Sequence, residues 1–235
     1  MSTRPASILM LSGGLDSTVA AFMATETTEP RLALTFDYGQ RARRRELAAG
    51  YALAQIIGVP HRTVFLPFFR EFEGGALTDP NRRLPEPEES ELDDLAKARG
   101  TAGAVWVPNR NGVFVAVAAA WAESIGASVL VVGFNAEEAR TFPDNGGEFV
   151  AAQNAALELS TSNGVKVFAP TLSWTKEQIV RHAKAHDWPL ELVWSCYEGD
   201  DQPCGRCESC RRFLRAVEAA EAREWLTARR PEKRR

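Results

Sequence analysis

Cysteine is scarce in this 235-residue chain and confined to one place: all four copies lie between Cys196 and Cys210. Scattered pairs are absent, so a disulfide-stapled secreted scaffold is excluded. No apolar run is long enough to cross a bilayer. The short run Ala6 to Leu11 ends in glycines and lacks the length and cleavage site of a signal peptide. A cytoplasmic protein with reduced thiols is the expectation. Neither sign of charge dominates, with 28 Lys and Arg against 31 Asp and Glu. A net charge of −3 argues against general nucleic-acid binding. No internal repeat is visible, and His61, His182 and His186 show no mutual pattern. The length and composition fit one large soluble domain, or one with a small appendage, able to bury a core unaided.

What is present alternates. Ala6–Leu11, Leu32–Phe36, a segment within His61–Pro67, Ser128–Val132 and Val165–Ala169 are short apolar runs that read as strands. Between and after them Ser17–Ala24, Arg41–Ile57, Val113–Ile125, Glu148–Leu159 and Thr175–His186 read as helices, the last with Thr175 as N-cap. This rhythm predicts an α/β fold with a doubly wound, mainly parallel five-stranded sheet flanked by helices. It breaks at Glu71–Gly103, a Pro- and acid-rich connection with a short helix near Glu89–Arg99. Such a length suits a lid or binding loop, or equally a solvated insertion.

Ser12-Gly13-Gly14-Leu15-Asp16-Ser17-Thr18 follows the first strand directly and opens the first helix. Glycines let the backbone turn tightly and approach a ligand. The helix start offers free N–H groups and a positive dipole end, and Ser12, Ser17 and Thr18 add hydroxyls. Together they suit phosphate or pyrophosphate, against the plainer alternative of a capped turn that binds nothing. The run is neither a Walker A loop nor a dinucleotide fingerprint.

The cysteines are spaced C-x7-C-x2-C-x2-C. Four soft ligands suit tetrahedral zinc, and a set with no open position suits a structural ion rather than a catalytic one. An iron–sulfur cluster is the rival. Arg206, Arg211 and Arg212 could offset the charge of four thiolates.

SGGLDS resembles the PP-loop signature of the ATP pyrophosphatases, which split ATP between its α- and β-phosphates. With TFDYGQR at Thr35–Arg41, VPNRN at Val107–Asn111 and SCY…CGRCESC at Ser195–Cys210, the chain resembles the QueC family, the 7-cyano-7-deazaguanine synthases of queuosine biosynthesis. The resemblance runs from Ile8 to about Ala216. It implies an adenine nucleotide alpha hydrolase-like PP-loop domain over residues 1–190. A helical zinc-binding segment with four cysteine ligands over 191–228 and a basic tail over 229–235 would follow. It implies ATP-dependent conversion of 7-carboxy-7-deazaguanine and ammonia to the nitrile, by adenylation, amide formation and dehydration, with Mg2+ and Zn2+. A homodimer is expected.

By that resemblance ATP is held by Leu11, Ser12, Gly13, Gly14, Leu15, Asp16, Ser17, Thr18, Val19, Ala20 and Ala21. Asp16, Ser17, Arg110 and Lys176 would be catalytic. Tyr38, Gln40, Arg41, Asn109, Glu138, Phe142 and Asp144 would bind the deazapurine. Cys196, Cys204, Cys207 and Cys210 would hold zinc. The chain departs from the family after the fourth strand, where the acid is Glu138, Phe142 replaces a tyrosine, and Asn145-Gly146 replaces a Cys-Arg pair. Ala42 stands for a histidine, and the helix acid, Glu46, sits about one place late. Two alternatives remain: an enzyme that stops at the amide or conjugates the activated deazaguanine to a protein or nucleic-acid amine, and a tRNA-modifying PP-loop enzyme.

Overall fold

A computed structural model describes residues 4–72 and 75–229. The tail expected at 229–235 falls outside them beyond Arg229. Five strands form one sheet: β1 (Ala6–Met10), β2 (Glu29–Asp37), β3 (His61–Phe65), β4 (Val129–Val131) and β5 (Lys166–Phe168). All pair in parallel in the order β3-β2-β1-β4-β5, so the expected doubly wound sheet is present. The first two crossovers are α1 (Leu15–Thr27) and α2 (Arg43–Ile57). The chain then recrosses through α3 (Leu95–Val105) and α4 (Arg110–Ser124) to β4, and α5 (Gly147–Ser160) leads to β5. Then come α6 (Lys176–Ala185), α7 (Glu208–Ala219) and α8 (Arg223–Arg229).

Strands buried on both faces need apolar residues at successive positions, and here neighbours divide between two cores. Ile8, Leu34 and Leu130 pack with Val115, Ala118 and Ala122 of α4. Leu9, Ala33 and Val131 pack with Ala20, Ala21 and Ala24 of α1 and Leu53 and Ala54 of α2. A third core joins Leu15 and Val19 of α1 to Ile179 and Val180 of α6, Val217 of α7 and Leu226 of α8. The C-terminal helices therefore rest on the same helix that begins at the glycine loop.

Two boundaries differ instructively from the sequence reading. α4 begins at Arg110, not Val113, because its first turn is polar and carries no apolar period; Asn109 adopts the left-handed conformation just before it. The helix expected near Glu89–Arg99 is a single 3-10 turn at Glu89–Glu91 followed by α3. Asp94 starts α3 by accepting from the Ala96 and Lys97 amides, and Pro108 restricts Val107 just beyond its end. Thr175 caps α6 as expected, in a capping box with Gln178.

The 71–103 connection is not merely solvated. Leu77 and Leu84 are buried in the α4-side core. Glu86, Glu88 and Asp93 pair with Arg206, Arg211 and Arg215 of the C-terminal segment. Arg212, 8% exposed, bonds Glu208 at 2.8 Å and the Leu92 carbonyl at 3.0 Å. No helix among the described residues is long and apolar enough to cross a membrane.

Candidate active site

The strand order reverses between β1 and β4, which opens a crevice at their carboxyl ends. The glycine loop leaves β1 there, and Gly133 leaves β4 opposite it. Gly13 has φ +81°, and a Cβ on it would lie 2.7 Å from Ala49 Cβ and 2.8 Å from the Glu46 carbonyl. Only glycine lets the loop turn this tightly against α2. Gly14 is the N-cap of α1, and no side chain caps the helix, so its first amides are free for an anion. Ser12 Oγ and Ser17 Oγ are hydrogen-bonded at 2.9 Å, and the Gly14 amide donates to Ser12 Oγ at 3.2 Å. Thr18 is fully buried and its hydroxyl donates to the Gly14 carbonyl at 2.7 Å. Val19, Ala20 and Ala21 pack in the cores rather than the crevice.

Two chambers of about 210 and 230 Å³ open beside the loop and share a wall of Ser12, Glu46, Leu77, Arg110, Gly133, Asn145 and Tyr197. Together they reach the size that small-molecule sites use, about 300–1,000 Å³. The first is the more polar and adds Gly14, Leu15, Asp16, Glu138, Phe142 and Lys176. Trp194, Ser195, Ser209 and Phe213 close it from the C-terminal segment. The second is more apolar and adds Leu11, Ser17, Phe36, Tyr38, Gln40, Asn111 and Phe114.

Lys176, 7% exposed, enters from the first turn of α6. Its Nζ donates to Asp16 Oδ2 at 2.7 Å and pairs with Glu138 Oε1 at 3.1 Å. Burial works against its charge, but the two carboxylates hold its pKa above the usual lysine value. Burial likewise opposes ionisation of Glu138, yet Lys176, aided by Arg212 and Arg110, keeps it below the normal carboxylate range. Asp16 is pushed up by burial despite Lys176, and its Oδ1 is buried without a hydrogen-bond partner among the described residues. That orphaned oxygen, with Glu138 nearby, fits a hard cation such as Mg2+.

Arg110 stands on the wall between the chambers. Among the described residues its guanidinium makes one hydrogen bond within the protein, donating to Tyr38 Oη at 3.2 Å. Asp144 and Glu46 influence it electrostatically without forming an ion pair. Tyr38 is braced by Phe69 and Phe114, and burial raises its phenol above the usual value. Gln40 is spent on the turn: Nε2 donates to the Phe36 carbonyl and to Glu46, while Oε1 accepts from the Tyr38 amide. Burial raises Glu46 from 4.5 to about 7.

Three expected substrate residues line neither chamber. Arg41 bonds Glu198 at 3.0 Å and the carbonyls of Asp79 and Arg82, tying the insertion to the cysteine loop. Asn109 is exposed beside α4, and Asp144 reaches Asn111 through its carbonyl. Asn145, Tyr197, Trp194 and Gly133 do line the site and were not chosen from sequence, although Tyr197 lies in the SCY motif.

The four cysteine sulfurs lie within 4.8 Å of one another. Sulfurs around a tetrahedral ion at about 2.3 Å would be roughly 3.8 Å apart, so the set fits zinc with little movement. Amides of Glu198 and Cys204 donate to Cys196 Sγ, and that of Cys207 to Cys204 Sγ, each at 3.3 Å. Such donors stabilise thiolates. The cluster also fixes Trp194, Ser195, Tyr197 and Ser209 on the chamber wall, and the Trp194 amide donates to the Gly13 carbonyl at 2.8 Å.

An uncapped glycine loop and a guanidinium without an ion-paired acid among the described residues, at the switch point of an α/β sheet, suit an anionic ligand. The chain matches the family model described as Queuosine biosynthesis protein QueC over residues 6–221 and belongs to that family. It is 48% identical over 214 residues to the 7-cyano-7-deazaguanine synthase of Pelotomaculum thermopropionicum, covering 91% of this chain and 97% of that protein. It is 49% identical to the Desulforudis audaxviator protein of the same name, covering 91% and 96%. With the Methanosarcina barkeri protein of that name identity is 44%, covering 94% and 97%.

Proposed function

We propose that this chain is an ATP-dependent ligase that converts 7-carboxy-7-deazaguanine and ammonia to 7-cyano-7-deazaguanine. The observation that carries the reading is Arg110, a guanidinium without an ion-paired acid among the described residues, placed beside the glycine loop. A partly buried cation left without an acid favours an anionic ligand, and a substrate carboxylate next to ATP provides one. The family membership and the relatives' names support the identity of that carboxylate.

In this reading the triphosphate lies on Ser12, Gly13, Gly14 and Ser17 at the start of α1. Asp16 and Glu138 are the residues that would hold Mg2+, which when bound screens the departing pyrophosphate. Lys176 adds a fixed positive charge beside them. The deazapurine occupies the apolar chamber against Tyr38 and Phe114, its carboxylate on Arg110. A carboxylate oxygen attacks the α-phosphorus, pyrophosphate leaves, and ammonia displaces AMP to give the amide. A second activation at the amide oxygen, with loss of AMP, leaves the nitrile. The chain's part in each step is to hold the reacting atoms close and offset developing charge. Zinc in the four cysteines would be structural. Residues 1–190 then carry the chemistry, 191–228 close one wall, and a cytoplasmic homodimer is the expected form.

The test is one incubation of metal-replete protein with 7-carboxy-7-deazaguanine, ATP and ammonium, read by mass spectrometry. The nitrile is expected, together with AMP. A product that stops at the amide, or a covalent adduct on an amine, would replace this reading with the alternative suggested by the altered 138–146 stretch. No substrate-dependent AMP would refute it. A tRNA-thiolating route is disfavoured because all four cysteines sit in the one cluster, leaving no thiol to carry sulfur.

A further inference from the structure

Making a nitrile from ammonia strips every N–H proton from the nitrogen, and ammonia in neutral water is mostly ammonium. The site therefore needs a group that accepts protons next to the reacting carbon. No histidine lines either chamber. Asp16 and Glu138 are held by Lys176. The Tyr38 phenol is kept protonated by burial and is engaged with Arg110.

Glu46 is the remaining acid. The first turn of α2 delivers it into the wall shared by both chambers, beside Arg110. It makes no ion pair among the described residues. Among the described residues its one side-chain hydrogen bond is from Gln40 Nε2 to Oε2 at 2.8 Å, which orients the carboxyl and leaves Oε1 without a donor from them. The charged groups that face it are Arg110 of α4, which favours its ionised form, and Asp37 at the end of β2, which opposes it. Burial outweighs both and sets its titration at about 7, so both protonation forms are populated at neutral pH.

Resting on the nitrile-synthase reading above, we propose that Glu46 is the catalytic base for the nitrogen substrate: its carboxylate docks ammonium and takes its proton. The ammonia lone pair then forms the C–N bond as the C–O bond to AMP breaks and AMP leaves with that electron pair. The surplus N–H proton of the adduct passes to Glu46, and the neutral amide remains. As the amide oxygen is activated and expelled with AMP, the two remaining N–H protons leave in turn. Glu46 releases each proton to solvent before it accepts the next.

The experiment compares wild type, Glu46→Gln and Glu46→Asp in two assays. The first is carboxylate-dependent ATP–pyrophosphate exchange without ammonia, which reads adenylation alone. The second is nitrogen incorporation, read as amide and nitrile with ammonium and as the hydroxamate with hydroxylamine, which enters uncharged near neutral pH. Glu46→Gln is expected to keep exchange within a few-fold. With ammonium it should lose on the order of 10²-fold or more in nitrogen incorporation, and lose the rising limb of the pH profile near 7. Hydroxylamine should restore most of the rate, and Glu46→Asp should fall between. Equal loss of exchange and incorporation would overturn the proposal by making Glu46 a structural residue, as would a full rate with ammonium. Should Glu46→Gln fail to fold, Glu46→Asp must itself show the split between ammonium and hydroxylamine, or the proposal falls. Absence of exchange in wild type would instead refute the underlying function.

Discussion

Replacing Gly133 by alanine should push a methyl group into the ATP loop. The new Cβ would lie 2.3 Å from the Ser17 amide nitrogen and 2.5 Å from both the Asp16 carbonyl carbon and Ser17 Cα. Contacts of this kind stay beyond 3.0 Å, so the end of β4 and the start of α1 must part by about 0.7 Å. The three nearest atoms are all backbone, and no rotamer change can move them away. Neither side yields easily. β4 is paired to β1 through Ser7, Ile8 and Leu9, and Leu15 and Val19 hold α1 in a core. Overpacking of this kind costs about 1–3 kcal/mol. In a chain of this length each kcal/mol moves Tm by roughly 2–4 °C. The larger effect is on chemistry, because a misplacement of about 1 Å can cost about 10²-fold. The assay is ATP–pyrophosphate exchange beside a thermal melt. The variant should fold, melt several degrees lower, and exchange on the order of 10²-fold more slowly. Wild-type exchange with an unchanged KM for ATP would refute the idea that Gly133 and the glycine loop form two rigid jaws.

Other outcomes follow from the same contacts. Glu46 is raised from 4.5 to about 7, so its ionisation works against folding: the contribution is favourable below 4.5 and is lost as pH rises through 7. Glu46→Gln should therefore gain on wild type between pH 5 and pH 8, by up to about 3 kcal/mol in urea titrations. Parallel pH curves would contradict this. Protein stripped of zinc with a chelator, then freed of the chelator and assayed in excess Mg2+, should lose ATP turnover while far-UV circular dichroism changes little, since the cysteines form a cluster apart from the sheet cores; added zinc should restore turnover. Arg212→Met leaves the buried Glu208 carboxylate and Leu92 carbonyl without their donor and should cost about 3–5 kcal/mol. Arg206→Ala removes only an exposed pair with Glu86 and should cost less than about 1 kcal/mol; equal losses would show that the insertion is held by its surface pairs.

Much of this molecule can be read from short stretches of chain. The apolar runs and their intervening helices are local patterns, and so are the glycine loop after β1 and the spacing of Cys204, Cys207 and Cys210. Each depends on neighbours within one element, where side-chain periodicity and backbone freedom act directly. Element ends were less legible where the first turn was polar: Arg110 and Asn111 carried no apolar period, yet they open α4 and line the site.

The composition of the site was legible in part and its division of labour was not. Lys176 stood out as a basic residue, but its grip on Asp16 joins positions 160 apart in the chain. Arg41 was expected at the substrate, and its donors instead hold the insertion and Glu198 in place, a use visible only once loops from three parts of the chain converge. Glu46 was noticed only as an acid slightly out of step. The role proposed for it rests on burial, on Gln40 holding one oxygen, and on Arg110 lining the same chambers. Residue types and spacings set which chemistries were available, because strands, turns and thiol ligands follow local rules. Which charges are neutralised and which are left for a ligand follows from desolvation and from contacts between distant segments, and those exist only in the folded chain.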